Sequence, residues 1–307
     1  MIRGRFAPTP SGRMHLGNLF AALLAWLDVR SQGGTLVLRV EDLDPQRTSE
    51  TFARQLMEDL RWLGLDWDEG GLEDSWRQSR RTDRYERAFQ VLADKGLVYP
   101  CYCTRSECMA ATAPHRDDGA VVYMGRCRSL TEGARKELEA RGRRPAWRVR
   151  CPDQIVRVED GHCGAYQENL ARDCGDFILR RSDGVYAYQL AVVVDDGEMG
   201  VNRVVRGRDL LCSAPRQVWL HRELGHAPPQ FFHVPLLLAP DGRRLAKRDR
   251  DLDMETLRQR YKPEELTGIL GWWAGLLDRP EKVPAKELVE GFAWAKVPKN
   301  DITAQLP

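Results

Sequence analysis

The distribution of apolar residues over the first hundred positions predicts alternating strands and helices. Leu19–Leu27 is apolar nearly all round, as in a fully buried helix. After the break at Gly33-Gly34, Thr35–Val40 is typical of a buried parallel strand. Two helices are predicted next, one that begins at Ser49 or Thr51 and reaches Leu63, and one over Thr82–Leu97. This order predicts an α/β fold.

The same pattern resumes after Cys174. Cys174–Leu179 and the run Leu190–Val194 predict buried strands, and Val201–Arg206 is interpreted as an edge strand. The remaining predicted elements are a helix over Leu210–Leu224, a strand over Val234–Leu238, and helices over Met254–Tyr261 and Glu264–Leu277.

Composition narrows the class of protein. A chain of 307 residues can bury a large core divided into two or three lobes. The net charge of +2 does not indicate a general polyanion-binding surface. No apolar stretch approaches a membrane span, and the first strand leaves no room for a signal peptide, so we expect a cytoplasmic protein with no membrane association. Eight cysteines in that setting indicate reduced thiols or metal ligands.

The loop before the first helix is the first candidate for chemistry. Pro8, Pro10 and Gly12 prevent regular structure and keep the loop open. His15 and Gly17 then lie at the mouth of the helix, where backbone N–H groups favour a phosphate and a residue without a side chain admits a flat base. On its own, such a loop is also typical of an ordinary strand-to-helix turn.

A second loop changes this interpretation. Arg244-Leu245-Ala246-Lys247-Arg248 follows the predicted strand Val234–Leu238. His15–Asn18 and Arg244–Arg248 together resemble the HIGH and KMSKS loops of class I aminoacyl-tRNA synthetases, with Ala246 at a position where that family usually has Ser. Three further blocks resemble the glutamyl branch of the family, and most of all a short paralogue of glutamyl-tRNA synthetase: Arg5–Gly12, Leu38–Pro45 and Leu190–Asp196.

The resemblance implies a fold and a set of site residues. It implies a Rossmann-like catalytic domain in two halves, 1–97 and 173–248, split by a zinc-bearing insertion at 98–172 and followed by a short helical region at 249–307. The implied catalytic and ATP-binding residues, which would act with Mg²⁺ brought by ATP, are His15, Gly17, Asn18 and Lys247. The implied glutamate-binding residues are Arg5, Ala7, Thr9, Glu41, Tyr188 and Arg206. An arginine fork suits a side-chain carboxylate, because it pairs with both oxygens and rejects a neutral amide. An acidic residue at Glu41 could equally belong to a solvated loop.

The cysteines of the insertion form a candidate metal site. Cys101 and Cys103 are close in sequence, and Cys127 follows 24 residues after Cys103. Three cysteines could bind one zinc ion, with Cys108 or His115 as an orthodox fourth ligand, or they could be buried and inert. The resemblance implies that Tyr123 is the fourth ligand of one structural zinc.

The resemblance also implies the reaction. Glutamate would be activated by ATP as glutamyl-adenylate and transferred to the queuosine base in the anticodon loop of tRNA(Asp). Val192 favours this paralogue, because glutamyl-tRNA synthetases tend to have Asn there. The 60 residues after Lys247 (248–307) do not accommodate a full anticodon-binding domain, which argues against ordinary charging. The alternatives are a truncated synthetase that charges tRNA(Glu) and a non-catalytic protein that binds tRNA or a partner.

Overall fold

A computed structural model describes residues 1–108, 122, 123, 125–243, 245 and 252–306 of the chain. Its helices are α1 (Leu16–Arg30), α2 (Glu50–Trp62), α3 (Thr82–Asp94), α4 (Arg105–Cys108), α5 (Glu132–Ala140), α6 (Tyr188–Glu198), α7 (Ala214–Glu223), α8 (Met254–Arg260) and α9 (Pro263–Trp273). Its strands are β1 (Arg3–Phe6), β2 (Thr35–Leu38), β3 (Glu69–Gly70), β4 (Val98–Cys101), β5 (Ala146–Val149), β6 (Ile155–Asp160), β7 (Gly164–Asn169), β8 (Ile178–Arg180), β9 (Arg203–Gly207), β10 (Gln230–Val234), β11 (Leu237–Leu238) and β12 (Ile302–Thr303).

A parallel five-stranded sheet forms the centre of the molecule, in the order β10-β9-β1-β2-β3. Helix α1 returns the chain from β1 to β2, and its apolar residues are buried nearly all round. Open parallel sheets of this kind place ligands beyond the carboxyl ends of their strands. The α/β fold predicted from the sequence is therefore confirmed.

Two smaller antiparallel units follow. Strands β4, β5 and β8 form one sheet, and β6 pairs with β7 as a hairpin. The side chains of the hairpin that face inward, including Val156 and Val158, belong to the same core as α6 and α7. The boundary expected at residue 172, between the insertion and the second half of the catalytic domain, therefore lies inside this group of antiparallel strands. Strand β8 comes after residue 172 and pairs with β5.

The C-terminal residues pack into the main body. Leu266, Ile269 and Leu270 of α9 are buried in one apolar cluster with α1. Strand β12 pairs in parallel with β11. In the sequence, β11 precedes Arg244–Arg248, the lysine-containing loop. The region is helical as predicted, and it adds a strand to the catalytic unit. Among the described residues, no helix combines the length and the hydropathy needed to cross a bilayer.

Two expectations from the sequence were wrong. The valine run is part of helix α6 and not a strand, so Val192 lies on a buried helix. A short run that is buried on all sides shows no periodicity that separates helix from strand. The strand near Val201–Arg206 is β9, and it is internal because β10 pairs outside it. The other helices lie close to their predicted positions; α2, for example, is capped by the side chain of Ser49.

Candidate active site and candidate metal centre

A cavity of about 480 Å³ opens at the carboxyl ends of β1 and β9. Its walls combine charged residues from the strands with the loop that precedes α1. The lining includes eight of the residues predicted from the sequence: Arg5, Ala7, Thr9, His15, Asn18, Glu41, Tyr188 and Arg206. Gly17 lies in the first turn of α1, beside His15. Lys247 and Ala246 lie outside the described residues.

Arg206 is a buried cation on one wall of the cavity, with 4% of its surface exposed. Its Nε–H donates to Nε2 of His233 at 3.0 Å, its Nη1 to Oε1 of Gln217 at 2.7 Å, and its Nη2 to the carbonyl of Leu210 at 3.3 Å. Burial lowers the pKa of Arg206, while the nearby hydroxyl of Tyr188 opposes that shift. Across the described part of the chain, no carboxylate forms an ion pair with this guanidinium. A buried charge without a counter-ion favours an anionic ligand.

Glu41 supplies a carboxylate on another wall. Its Oε1 accepts a hydrogen bond from Nη2 of Arg39 at 3.2 Å, and Arg39 also contacts Asp196 at 2.6 Å. Burial raises the pKa of Glu41, and the positive charges of Arg39 and Arg5 oppose this without cancelling it. Arg5 forms a longer pair with Asp196, at 3.6 Å. The carboxylate of Glu41 is therefore held in place but is not fully neutralised, which suits an ammonium group.

His15 is the N-cap of α1. Its Nδ1 accepts a hydrogen bond from the backbone N–H of Gly17 at 3.1 Å, and the side chain of Asn18 accepts one from the backbone N–H of His15 at 3.2 Å. A Cβ at Gly17 would lie only 3.1 Å from the imidazole, so the glycine leaves room for the His15 ring. The imidazole is thus held at the cavity, next to the positive end of the helix.

The segment after the lysine-containing loop packs against this same turn. Asp253 forms an antiparallel bridge with His15, and the backbone N–H of Met254 donates to the carbonyl of Met14 at 2.9 Å. Within the loop, Leu245 is buried in the main apolar cluster. This residue and the segment that follows the loop are therefore both anchored to the body that carries His15.

The thiols of Cys101, Cys103 and Cys127 form a separate cluster, with their sulfur atoms within 4.8 Å of one another. The phenol oxygen of Tyr123 lies 3.3 Å from the sulfur of Cys101 and 3.5 Å from that of Cys103. A tetrahedral zinc with ordinary bond lengths would separate its sulfur ligands by about 3.8 Å, and a sulfur and an oxygen ligand by about 3.5 Å. These four groups therefore fit one closed metal site. Cys108 is not in the group, since its sulfur accepts a hydrogen bond from Arg148 at 3.6 Å, and His115 lies outside the described residues.

The thiols of this cluster differ in acidity without metal. The hydrogen bond from Cys101 lowers the pKa of Cys127 to about 6, against the effect of burial. The same contact raises the pKa of Cys101 to about 12. A metal ion would bind the Cys127 thiolate and displace protons from the other groups.

The backbone of Tyr123 is held in place by contacts with Gly175 and Asp176. Tyr123 and Gly175 form a parallel bridge, and the N–H of Asp176 donates to the carbonyl of Tyr123 at 2.9 Å. Gly175 has φ +68°, and a Cβ there would lie 2.7 Å from the Tyr123 backbone. The carboxylate of Asp176 in turn accepts from Tyr99 and Arg128. This network positions Tyr123, which sequence reasoning assigned through resemblance alone.

Several residues that support the walls of the cavity from behind were not recognised from the sequence as site residues. Arg39 is fully buried and connects Glu41 with Asp196. Gln217 and His233 hold Arg206, and they come from α7 and β10. For Arg39 a signal existed, because a charged residue inside an apolar strand run requires a partner. For Gln217 and His233 the sequence contains no such signal.

Comparisons with known proteins agree with this geometry. The family model described as "tRNA synthetases class I (E and Q), catalytic domain" matches residues 1–271. The glutamyl-Q tRNA(Asp) synthetase of Nitratidesulfovibrio vulgaris is 52% identical over 98% of this chain and 95% of its own length. That of Symbiobacterium thermophilum is 47% identical over the same shares. This chain belongs to the glutamyl-Q tRNA(Asp) synthetase family. It is thus a ligase of the class I aminoacyl-tRNA synthetase type.

The solved structures add the fold of a longer relative. The synthetase superimposes on a glutamate–tRNA ligase from Elizabethkingia meningosepticum, solved in complex with its amino acid, with a TM-score of 0.82 and 30% identity. The corresponding enzyme from Elizabethkingia anophelis gives 0.83 and 30%. The synthetase is covered almost completely, at 98% and 99%, whereas it spans only 66% and 68% of those chains. It therefore shares the fold of about two thirds of those ligases.

Proposed function

We propose that this synthetase activates L-glutamate with ATP and transfers the glutamyl group to the queuosine base in the anticodon loop of tRNA(Asp), in the cytoplasm. The relatives that carry the name glutamyl-Q tRNA(Asp) synthetase support the reaction class. The observation that supports glutamate as the amino acid is the position of Arg206, a buried cation without an acidic partner among the described residues. It lies in a cavity that also contains the Glu41 carboxylate. A glutamate molecule has the complementary charges at its two ends.

Each predicted residue then has a role. Arg206 and Tyr188 bind the side-chain carboxylate, and Glu41 binds the α-ammonium group. The other residues of the glutamate pocket form its wall and floor, and they are Arg5, Ala7 and Thr9. This leaves the α-carboxylate directed toward the turn that contains His15, where ATP is expected to place its α-phosphate.

Activation needs no protein nucleophile. An oxygen of the α-carboxylate attacks the α-phosphorus of ATP, a new O–P bond forms, and the bond to the β-phosphate bridge breaks to release pyrophosphate. A hydroxyl of the acceptor then attacks the acyl carbon, loses its proton, and AMP leaves. Positioning and positive charge at the phosphates supply the catalysis. We assign these tasks to His15, Gly17, Asn18 and Lys247, with Mg²⁺ bound to ATP.

We also propose that Cys101, Cys103, Tyr123 and Cys127 hold one structural zinc ion. The cluster is closed and lacks an open ligand position for a substrate, as structural sites do. It supplies local folding energy to the insertion at 98–172, the second of the four segments that we propose (1–97, 98–172, 173–248 and 249–307).

Transfer of labelled glutamate tests the proposed reaction. We expect transfer to tRNA(Asp) that carries queuosine, and none to the same tRNA with guanine at that position or to tRNA(Glu). A Lys247→Ala variant should lose roughly 10²–10³ in activation rate, the scale for one transition-state donor. Charging of tRNA(Glu) at a comparable rate would instead identify a truncated glutamyl-tRNA synthetase, and a protein without glutamate-dependent pyrophosphate exchange would be the non-catalytic alternative.

A further inference from the structure

Three buried side chains connect the hairpin β6–β7 with the cavity. The carboxylate of Asp160, the last residue of β6, lies 2.6 Å from Nδ1 of His233 on β10. Nε2 of the same imidazole lies 3.0 Å from Nε of Arg206 on β9. Asp160, His233 and Arg206 are 5%, 0% and 4% exposed. The chain of contacts therefore runs through the interior, from outside the parallel sheet to the wall of the cavity.

The chemistry of the donors determines the tautomer of His233. An arginine N–H can only donate, so Nε2 of His233 accepts and carries no proton. The ring proton then lies on Nδ1 and is donated to Asp160. Burial lowers the pKa of His233, and the contact with Asp160 opposes that shift only in part. A neutral imidazole with its proton on Nδ1 is consistent with both contacts.

Asp160 is itself fixed by the backbone. Its Oδ1 accepts from the N–H groups of His162 at 3.0 Å and Cys163 at 2.7 Å. Burial alone would raise the pKa of Asp160, but the hydrogen bonds from His233 and from this turn lower it below the usual range. At Gly161, an added Cβ would lie 2.1 Å from the ring of Phe232, so the turn packs tightly on β10. Asp160 thus has little freedom to move away from His233.

We propose that His233 and Asp160 are positioning residues that orient the guanidinium of Arg206 and so set the selectivity for glutamate over glutamine. The proposal rests on the proposed function, in which Arg206 binds the side-chain carboxylate. His233 occupies the Nε–H of Arg206, and Gln217 and Leu210 each take one further N–H. Among the hydrogen bonds formed by the described residues, these leave one N–H on each terminal nitrogen, which matches the two oxygens of a carboxylate.

Loss of the His233 side chain would leave the positive charge of Arg206 in place, but the guanidinium plane would no longer be held in one orientation. The long-range attraction for glutamate would remain, whereas the two-point contact with its carboxylate would weaken. Because the α-carboxylate reacts at the other end of the substrate, the effect should fall on glutamate binding and selectivity more than on the rate at saturation.

Glutamate-dependent pyrophosphate exchange provides the test. In His233→Phe the ring stays stacked on Phe231, as it is now at 5.9 Å, but both hydrogen bonds are lost. We expect KM for glutamate to rise about tenfold or more, kcat to change by less than about threefold, and the preference for glutamate over glutamine to shrink by about the same factor as KM rises. His233→Gln, whose side-chain oxygen can accept from Arg206, should recover part of this loss.

Asp160→Asn separates positioning from packing. The amide has the same shape, but only one of its two terminal atoms is an oxygen that can accept a hydrogen bond. If that oxygen faces His233, the turn loses its acceptor. If it faces the turn, the NH₂ group faces Nδ1, and His233 must carry its proton on Nε2, opposite the Arg206 donor. We expect a rise in KM that adds little further in the double variant with His233→Phe, because both changes disturb the same contact. Glu159→Gln, an exposed neighbour on β6, is the charge control and should leave KM unchanged.

The outcomes separate this proposal from the one that it rests on. If the unaltered synthetase shows no glutamate-dependent exchange, the proposed function fails. If it does, and folded His233→Phe keeps both its KM and its selectivity, the positioning role is overturned. An equal fall in kcat for glutamate and glutamine with unchanged KM would also overturn it, since that pattern indicates a general structural defect.

Discussion

The cavity and the cysteine cluster both bury polar groups, but they satisfy them in opposite ways. In the cavity, Arg206 is held by neutral acceptors and is left without a counter-charge among the described residues. In the cluster, Cys101, Cys103, Cys127 and Tyr123 contact one another at 3.0 to 3.5 Å. The first arrangement suits a ligand that binds and leaves. The second suits an ion that stays, so the two regions should divide function and stability between them.

The largest expected effect is on the cavity. Arg206→Met removes the only guanidinium fork assigned to the substrate carboxylate, and we expect kcat/KM for glutamate to fall roughly 10³-fold or more. The stability change should be small, because the unneutralised charge is lost at the same time as its three hydrogen bonds. Pyrophosphate exchange and thermal unfolding measure the two quantities.

Arg203→Met on the same strand is the matched control. Arg203 is also buried, but it pairs with Asp28 at 3.3 Å and does not line the cavity. It should lower Tm and leave KM for glutamate unchanged. If Arg206→Met instead unfolded the protein while Arg203→Met abolished exchange, the contrast between a functional and a structural region would be wrong.

The cysteine cluster should show the reverse pattern. Cys101→Ser should release the bound metal and destabilise the insertion, because metal binding and local folding are coupled. Glutamate-dependent exchange should survive within a few-fold, since the cavity is built from other elements. Metal content of the purified protein, proteolysis and exchange activity are the measurements.

Three further variants identify the fourth ligand. Tyr123→Phe should weaken metal retention, whereas Cys108→Ser and the distant Cys212→Ser should not. Full metal content in Tyr123→Phe together with loss in Cys108→Ser would place the fourth ligand at Cys108. Stoichiometric metal in a protein that lacks both Cys101 and Cys103 would place the site elsewhere.

The smallest effect is a pH dependence. Burial raises the pKa of Glu41 above the ordinary 4.5, so its carboxylate protonates at a higher pH than an exposed glutamate would. Protonation removes the charge that binds the ammonium group, so KM for glutamate should rise as the pH falls from neutrality toward that raised pKa. Glu41→Gln should have a higher KM that no longer depends on pH in this range.

The raised pKa of Glu41 affects folding stability in the opposite direction to glutamate binding. Ionised Glu41 costs folding free energy at neutral pH, and this cost disappears as the pH falls through the raised pKa. Glu41→Gln should therefore not lower Tm at pH 7, and any gain should shrink in acid. A wild-type KM that stays constant down to the ordinary glutamate range would contradict the binding role of Glu41.

The sequence predicted most elements of the parallel sheet, because strand and helix periodicities there are supported by caps such as Ser49 and breaks such as Gly33-Gly34. It failed at α6, where every position around Val192 is buried and the pattern loses its period. It also failed at β9, since the order of strands in a sheet depends on contacts between distant segments, such as Arg206 with His233.

The residues of the candidate site also fall into those that could be assigned from the sequence and those that could not. Residues in contiguous blocks, such as Arg5 and Glu41, could be assigned by resemblance, and the structure places them at one cavity. Tyr123 was likewise assigned only by resemblance, although its phenol now lies beside two sulfurs. Asp160 and Gln217 are ordinary polar residues in their local sequence. Their partners become visible only when the insertion hairpin and α7 pack against the sheet.

The pairing of β12 with β11 has a consequence for biosynthesis. Residues Ile302 and Thr303 align with Leu237 and Leu238, and the side chain of Asp301 accepts from the N–H of Leu236. A ribosome translates the lysine-containing segment well before it reaches position 302, so this strand waits for its neighbour. Contacts between such distant positions form late, because a long loop must close first. In the nascent chain, β11 should therefore stay without this partner until residues 302 and 303 have been synthesised.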